Sequence, residues 1–170
     1  MPVIALSSLR YTANKEVFMN ALKLMAILLA AFSQNLVAEE AGKPLEMTVY
    51  RSPTCGCCSK WLEHAKQNGF KINDVISEDM ETIKARFGVP EKLASCHTAI
   101  VDGRVIEGHV PASDIQKLLQ SQSSLTGIAA PGMPMGSPGM EMGGQQDAYK
   151  VVSFDKEGKH EVFAEHGTNQ

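Results

Sequence analysis

The sequence predicts an α/β fold of order β-α-β-α-β-β-α, followed by a Met/Gly/Pro-rich loop and a C-terminal β-hairpin. Three observations carry this. Apolar and polar side chains alternate from Leu45 to Tyr50 and lead into a helix-spaced set beyond it. Asp102-Gly103 lies between two β-forming stretches, the strongest short signal for a hairpin. A further helix-spaced apolar set follows Pro111.

Element by element, Leu45-Glu46-Met47-Thr48-Val49-Tyr50 is the first strand, and Arg51-Ser52-Pro53-Thr54 is the turn that leaves it. Trp61, Leu62 and Ala65 mark the inner face of the first helix, which Asn68-Gly69 stops. Ile72, Val75 and Ile76 define a second strand over 71–77. Ser77 is the expected cap of a second helix, with Glu78, Asp79 and Glu81 in its first turn and Met80, Ile83 and Phe87 as its apolar stripe. Residues 98–101 and 104–107 form the predicted hairpin. The third helix begins near Ala112, with Ile115, Leu118 and Leu119 on one face. From Ser121 to Gln146 the composition turns to Gly, Pro, Ser, Gln and Met, which predicts a long irregular segment. Tyr149–Phe154 and His160–Ala164 then predict the terminal hairpin.

The chain is 170 residues long with a net charge of −3, enough for one domain with a real core. Leu24 to Phe32 is a short apolar run with Lys23 ahead of it and Leu36-Val37-Ala38 after it, the pattern of a secretory signal. The run is well short of the ~20 apolar residues of a membrane span. The expected organisation is a signal peptide over 1–38 (Met19 being the more usual start), an α/β domain over 39–120, the Met/Gly/Pro-rich loop over 121–146, and the hairpin over 147–170 packed on the same domain. Removing 1–38 takes away Arg10, Lys15, Lys23 and Glu16, which leaves a net of −5. With Lys and Arg scattered, neither nucleic acid nor, after signal cleavage, a membrane surface is an expected partner.

The chemistry concentrates in Thr54-Cys55-Gly56-Cys57-Cys58, where three cysteines fall within four residues at the start of the first helix. Cys55 and Cys58 have CxxC spacing, and a strand-helix-strand opening with CxxC at the strand-to-helix junction reads as thioredoxin-like. Thiolates at a helix N-terminus are stabilised by its free N–H groups and dipole. In that topology the loop entering the third strand packs against the CxxC helix start and ordinarily carries a cis-proline. Here it reads Ser95-Cys96-His97-Thr98, a thiol and an imidazole in place of the proline. Both are good copper ligands. Three alternatives stand side by side. Four thiols in an oxidising compartment can form two disulfides, although the adjacent Cys57 and Cys58 make a strained mutual pair, so any such pairing ties Cys96 to one of the other three. A structural zinc site is a second reading, but three sulfurs in four residues suit single-ion tetrahedral geometry less well than two separated pairs. Neighbouring thiolates that bridge several Cu(I) ions are the third.

The chain from about Met47 onward resembles a family of small exported bacterial proteins with a thioredoxin-like fold, whose copper-resistance members are called CopG. The residues that carry the resemblance are Ser52-Pro53-Thr54-Cys55-Gly56-Cys57-Cys58 with Trp61, Ser95-Cys96-His97-Thr98-Ala99, Glu107-Gly108-His109-Val110-Pro111-Ala112, and the Pro131 to Glu141 block. The resemblance implies a periplasmic copper-binding protein in which the cysteines ligate a multinuclear copper cluster. It also implies a role in copper resistance, by sequestration or by a redox step on the metal.

The expected metal ligands are therefore Cys55, Cys57, Cys58, Cys96, His97 and His109, with copper as Cu(I). His97 adjoins a cluster cysteine; its alternative is a hydrogen-bonding role that orients a ligand. His109 is either a ligand, an orienting neighbour, or a locally packed histidine. His64 is seven residues beyond Cys57, two helical turns, too far along to be expected at the site. His160 and His166 are expected to face solvent. Met133, Met135, Met140 and Met142 either acquire Cu(I) through soft thioethers or fasten the loop as apolar pegs. Two other functions remain open: a thiol-disulfide oxidoreductase of exported proteins, and a copper chaperone that hands its ion to an efflux system or to other periplasmic copper-handling proteins.

Overall fold

The structure, a computed structural model, describes residues 18–20, 44–141, 143–144 and 146–167. The expected signal peptide falls almost wholly outside these residues, as does Met142. The chain divides into two units, 1–43 and 44–170, and all the described strands belong to the second. No helix among the described residues is long and apolar enough to cross a membrane.

The elements of the second unit run β1 (Leu45–Arg51), α1 (Gly56–Gln67), β2 (Phe70–Ile76), α2 (Met80–Arg86), a 3₁₀ turn (Glu91–Leu93), β3 (His97–Val101), β4 (Arg104–Glu107), α3 (Ala112–Gln120), β5 (Gly127–Ala129), β6 (Tyr149–Phe154) and β7 (His160–His166). All the described strands join one mixed sheet in the order β2-β1-β3-β4-β5-β6-β7. β1 pairs in parallel with β2 and antiparallel with β3, and β3 pairs antiparallel with β4. The predicted α/β order holds throughout this part. The turn between β3 and β4 places Asp102 and Gly103 at φ of 47° and 71°, the left-handed pair that a two-residue hairpin demands.

Strand periodicity divides the core into two layers. Met47, Val49, Ala99, Val101, Ile106, Ile128 and Val151 point to one face, where Trp61, Leu62 and Ala65 of α1 and Ile115 and Leu118 of α3 cover them. The alternate residues Val105, Ala129 and Phe154, with Ile100 and Val152, meet Val89, Leu93 and Phe87 on the other face. Trp61 is fully buried, and its Nε1–H donates to the Val110 carbonyl at 2.9 Å, so its one polar atom is satisfied.

Three expectations are corrected. The segment 121–146 is not wholly irregular: Gly127–Ala129 forms β5, a buried strand parallel to β4 and antiparallel to β6. Its three residues are too few to display a period of two. It is also the strand that carries the C-terminal hairpin into the sheet. The cap of α2 is Asp79, which accepts from the Thr82 N–H at 3.1 Å, whereas the Ser77 hydroxyl accepts from the Asp79 N–H. The third is His166, whose Nε2 lies 2.6 Å from Asp114 Oδ2 on α3 while its ring stacks on Tyr149. That hydrogen bond and stack fasten β7 to the domain instead of leaving the imidazole in solvent. His160 is exposed, as expected.

Candidate metal centre

Sheet register brings the two cysteine segments together. β1 ends at Arg51, which pairs with His97 at the start of β3. The turn leaving β1 therefore lies beside the loop entering β3. Within that turn the Cys55 N–H donates to the Ser52 carbonyl at 3.2 Å, and the Ser52 and Thr54 hydroxyls bond each other. Cys55 occupies the N-cap of α1 with no side-chain cap bond, so the first-turn N–H groups beside the cysteines have no side-chain cap. Arg51 is held by a bidentate pair to Asp74 of β2, at 2.9 and 2.7 Å.

The ligand atoms of Cys55, Cys57, Cys58 and Cys96 all lie within 4.8 Å of one another, and those of Cys96, His97 and His109 do likewise. Six expected ligands thus converge on one place, with Cys96 shared by both sets. Cys55 and Cys58 are joined as a disulfide, while Cys57 and Cys96 are free, and Cys57 Sγ lies 3.6 Å from Cys55 Sγ. A disulfide sulfur is not a thiolate donor. The four-sulfur set is therefore a property of the reduced protein, and the closed pair leaves Cys57 and Cys96 as the remaining thiols.

Cys96 Sγ lies 3.3 Å from His97 Nδ1 and 3.1 Å from His109 Nε2. Ligands sharing one tetrahedral ion at ordinary metal–sulfur and metal–nitrogen lengths stand about 3.5 Å apart, close to these separations. Both imidazoles are buried, with the His97 ring tilted against Trp61 and edge-on to His109. Among the described residues, only His97 Nε2 and Thr126 Oγ1 are buried side-chain polar atoms without a hydrogen-bond partner. An unsatisfied buried nitrogen costs about 1–3 kcal/mol, so this imidazole is incomplete within the protein alone. A soft sulfur flanked by two buried imidazoles fits a copper-type ion.

The electrostatics follow from burial. Desolvation, then the neighbouring Cys57, push the Cys96 thiol up to about 12. Desolvation holds His97 well below its ordinary value, helped by His109, Lys84 and Arg51. Desolvation lowers His109 too, partly offset by its bond to Pro138 and by Glu141. His64 is lowered by desolvation as well, and its Nε2 accepts from the Ala112 N–H at 3.1 Å, so it ties α1 to α3 outside the ligand sets.

These three imidazoles titrate lower in the fold than the ~6.5 of the unfolded chain. Their contribution to stability is present above that pH and is lost as acid protonates the unfolded state preferentially. The thermal midpoint of the reduced, metal-free protein should fall between pH 7 and pH 5; a flat profile over that window would contradict the buried-neutral assignment.

Two supports of the site escaped the sequence. Glu107 is fully buried and accepts from Lys84 Nζ at 2.5 Å, the Ser95 N–H at 2.6 Å and the Thr98 hydroxyl at 2.7 Å. It therefore fixes the backbone immediately before Cys96. Its signals were a charge in the strand just before Gly108-His109 and a place at the head of the Glu107–Ala112 block, neither of which announces a buried anchor. Gly108 sits at φ 74°, where a Cβ would meet the Ser95 side chain and, at 2.7 Å, the Ala130 carbonyl. The other support is the Pro138 carbonyl, which accepts from His109 Nδ1 at 2.7 Å; no side-chain pattern announces a backbone acceptor. Of the loop methionines, Met133 is exposed and Met135 and Met140 are half-buried.

Residues 93–140 match the family described as "Protein of unknown function, DUF411". Two solved structures are similar at a TM-score of 0.70 and 50% identity, described as "Copper resistance protein copG", Form 2 and Form 1. The matches cover 73% and 74% of this chain and 99% of each of those chains. Among curated proteins none matches. With half of the aligned residues identical across almost the full length of those structures, and the cysteine cluster in place, the chain belongs to the family of the copper resistance protein CopG.

Proposed function

We propose that this is a periplasmic copper-binding protein, exported by its N-terminal segment, that holds several Cu(I) ions on a shared set of thiolates and acts in copper resistance. The observation that carries the reading is the convergence of four sulfurs and two imidazoles at one place. Thiolate sulfur shares its lone pairs between soft ions, so Cys55, Cys57, Cys58 and Cys96 suit bridging, with His97 and His109 completing the coordination. The parallel β1-α1-β2 unit followed by the antiparallel β3 and β4 supports a thioredoxin-like core with the cluster at its CxxC position.

Sequestration needs only the thiolates. Copper redox needs a site tolerant of both oxidation states, and imidazole accepts Cu(II) where thiolate favours Cu(I). On this reading His97 and His109 allow the cargo ion to change oxidation state without leaving.

Anaerobic Cu(I) titration of the reduced protein tests the proposal. More than one ion per chain is expected, with a clear loss in Cys57→Ser; a stoichiometry of zero, or a titration unaffected by Cys57→Ser, overturns it. Because the Cys96 thiol is pushed up to about 12, it carries its proton at neutral pH and must release it to the metal. Apparent copper affinity should therefore rise with pH between 6 and 8, with proton release visible in weakly buffered solution; a pH-independent affinity would contradict thiolate ligation.

The closed Cys55–Cys58 pair at a helix start favours one second reading, a thiol-disulfide oxidoreductase. Insulin reduction that survives both Cys57→Ser and Cys96→Ser would support it over copper binding.

A further inference from the structure

We propose that the loop from Pro134 to Met140 is the orienting element of the metal centre: its Pro138 carbonyl selects the tautomer of His109, and Gly139 is the positioning residue that sets this carbonyl in place. The proposal rests on the reading of His109 as a copper ligand.

The bond between His109 and the loop has one possible sense. A carbonyl only accepts, so at 2.7 Å from Pro138 O the His109 Nδ1 must carry the hydrogen. A neutral imidazole then has its lone pair on Nε2, the atom that faces Cys96 Sγ at 3.1 Å. The opposite tautomer would set two acceptors against each other at Pro138. Fixing the outer nitrogen of a ligating imidazole in this way sets both the ring's direction and its basicity.

The loop holds that carbonyl firmly. Ser137 is fully buried, and its hydroxyl and N–H both donate to the Pro134 carbonyl, at 2.7 and 3.2 Å. The Met140 N–H donates to Ser137 O at 2.8 Å, the Gly136 N–H to Met140 O at 3.0 Å, and the Gly139 N–H to Glu141 Oε2 at 2.8 Å. Gly139 brings the loop down onto the cysteine helix. Its φ is +84°, and a Cβ there would lie 2.7 Å from Trp61 N and 3.2 Å from the Cys57 carbonyl. Both are helix backbone and cannot swing aside. A side chain at 139 must lift the loop and, with it, the Pro138 oxygen. A residue in the carboxy-terminal third thus reaches the centre by touching α1 beside Cys57 and Cys58.

The test combines nitrogen NMR of the imidazoles with copper affinity. In the metal-free reduced wild type, His109 should be a single tautomer with its proton on Nδ1. Gly139→Ala should mix the tautomers and lower Cu(I) affinity by about 10–100-fold, the usual effect of losing a ligand's orienting partner. In a His109→Ala background, Gly139→Ala should lower affinity little further. Gly143→Ala is the control: Gly143 has a φ of +64° with nothing within 4 Å of its would-be Cβ, so it carries the backbone strain without the clash. If Gly139→Ala fails to fold, Ser137→Ala removes the Ser137–Pro134 hydroxyl bond and should also mix the tautomers. A proton on Nε2 in the wild type overturns the proposal. So does an equal affinity loss in the His109→Ala background, or a Gly143→Ala effect as large as that of Gly139→Ala. A protein that binds no copper refutes the copper reading instead, and the tautomer, measured without metal, tells the two failures apart.

Discussion

Replacing Cys96 with serine should eliminate multinuclear Cu(I) loading while leaving the fold in place. Cys96 is the one residue common to the four-cysteine set and the Cys96, His97, His109 set. Its loss disconnects the imidazoles from the CxCC sulfurs. Removing an orienting partner of a ligand costs 10–100-fold in metal affinity, and losing the shared ligand itself should exceed about 100-fold. The serine hydroxyl is a hard donor of similar shape and cannot bridge soft ions. Circular dichroism should be unchanged, because Cys96 is half-buried in a loop at the edge of the core. Wild-type stoichiometry in Cys96→Ser would show that the ions sit on residues 55–58 alone.

Glu107→Ala should cost the largest share of stability of any change near the site. The carboxylate is wholly buried against Lys84, whose side chain is 15% exposed, and it also holds Ser95 and Thr98. Its removal leaves a largely buried ammonium with only the Thr98 hydroxyl, and takes the acceptor from the Ser95 N–H. Breaking one side of a buried, hydrogen-bonded pair typically costs about 3–5 kcal/mol. Urea unfolding of the reduced, metal-free protein should show a loss of this size. Glu107→Gln, which keeps the shape and part of the hydrogen bonding, should lose less. A loss below about 1 kcal/mol for Glu107→Ala, no more than an ordinary hydrogen bond contributes, would mean the Ser95–Cys96 loop is held by something else. Because Glu107 anchors the Ser95 N–H, the same variant should also bind copper more weakly than its stability alone dictates.

Most of the scaffold of the centre was legible in the sequence because each element declared itself locally. The alternation at Leu45–Tyr50, the Asp102-Gly103 turn and the helix-spaced Trp61, Leu62 and Ala65 each reflect a period or a backbone constraint that neighbours alone impose. The convergence of Cys96 and His97 on the CxCC turn was legible at one remove, through the expected packing of the loop entering the third strand against the CxxC helix start. What escaped is long-range. β5 is three residues whose strand character comes from β4 on one side and β6 on the other, not from any local pattern. The bond between His166 and Asp114 spans 52 residues; composition made that histidine look like a solvated tail. Lys84 and Glu107 look ordinary on their own segments and acquire meaning only when packing removes water from both. The Pro138 carbonyl belongs to the backbone, which residue types do not reveal.

X-ray absorption at the copper edge, on the reduced chain loaded anaerobically with Cu(I), addresses the shared-thiolate centre most directly. Sulfur should dominate the first shell, imidazole should contribute outer scattering that disappears in the His97→Ala, His109→Ala double variant, and a copper–copper distance should be resolved. A first shell of nitrogen and oxygen alone, or a single isolated copper with no metal neighbour, would contradict it.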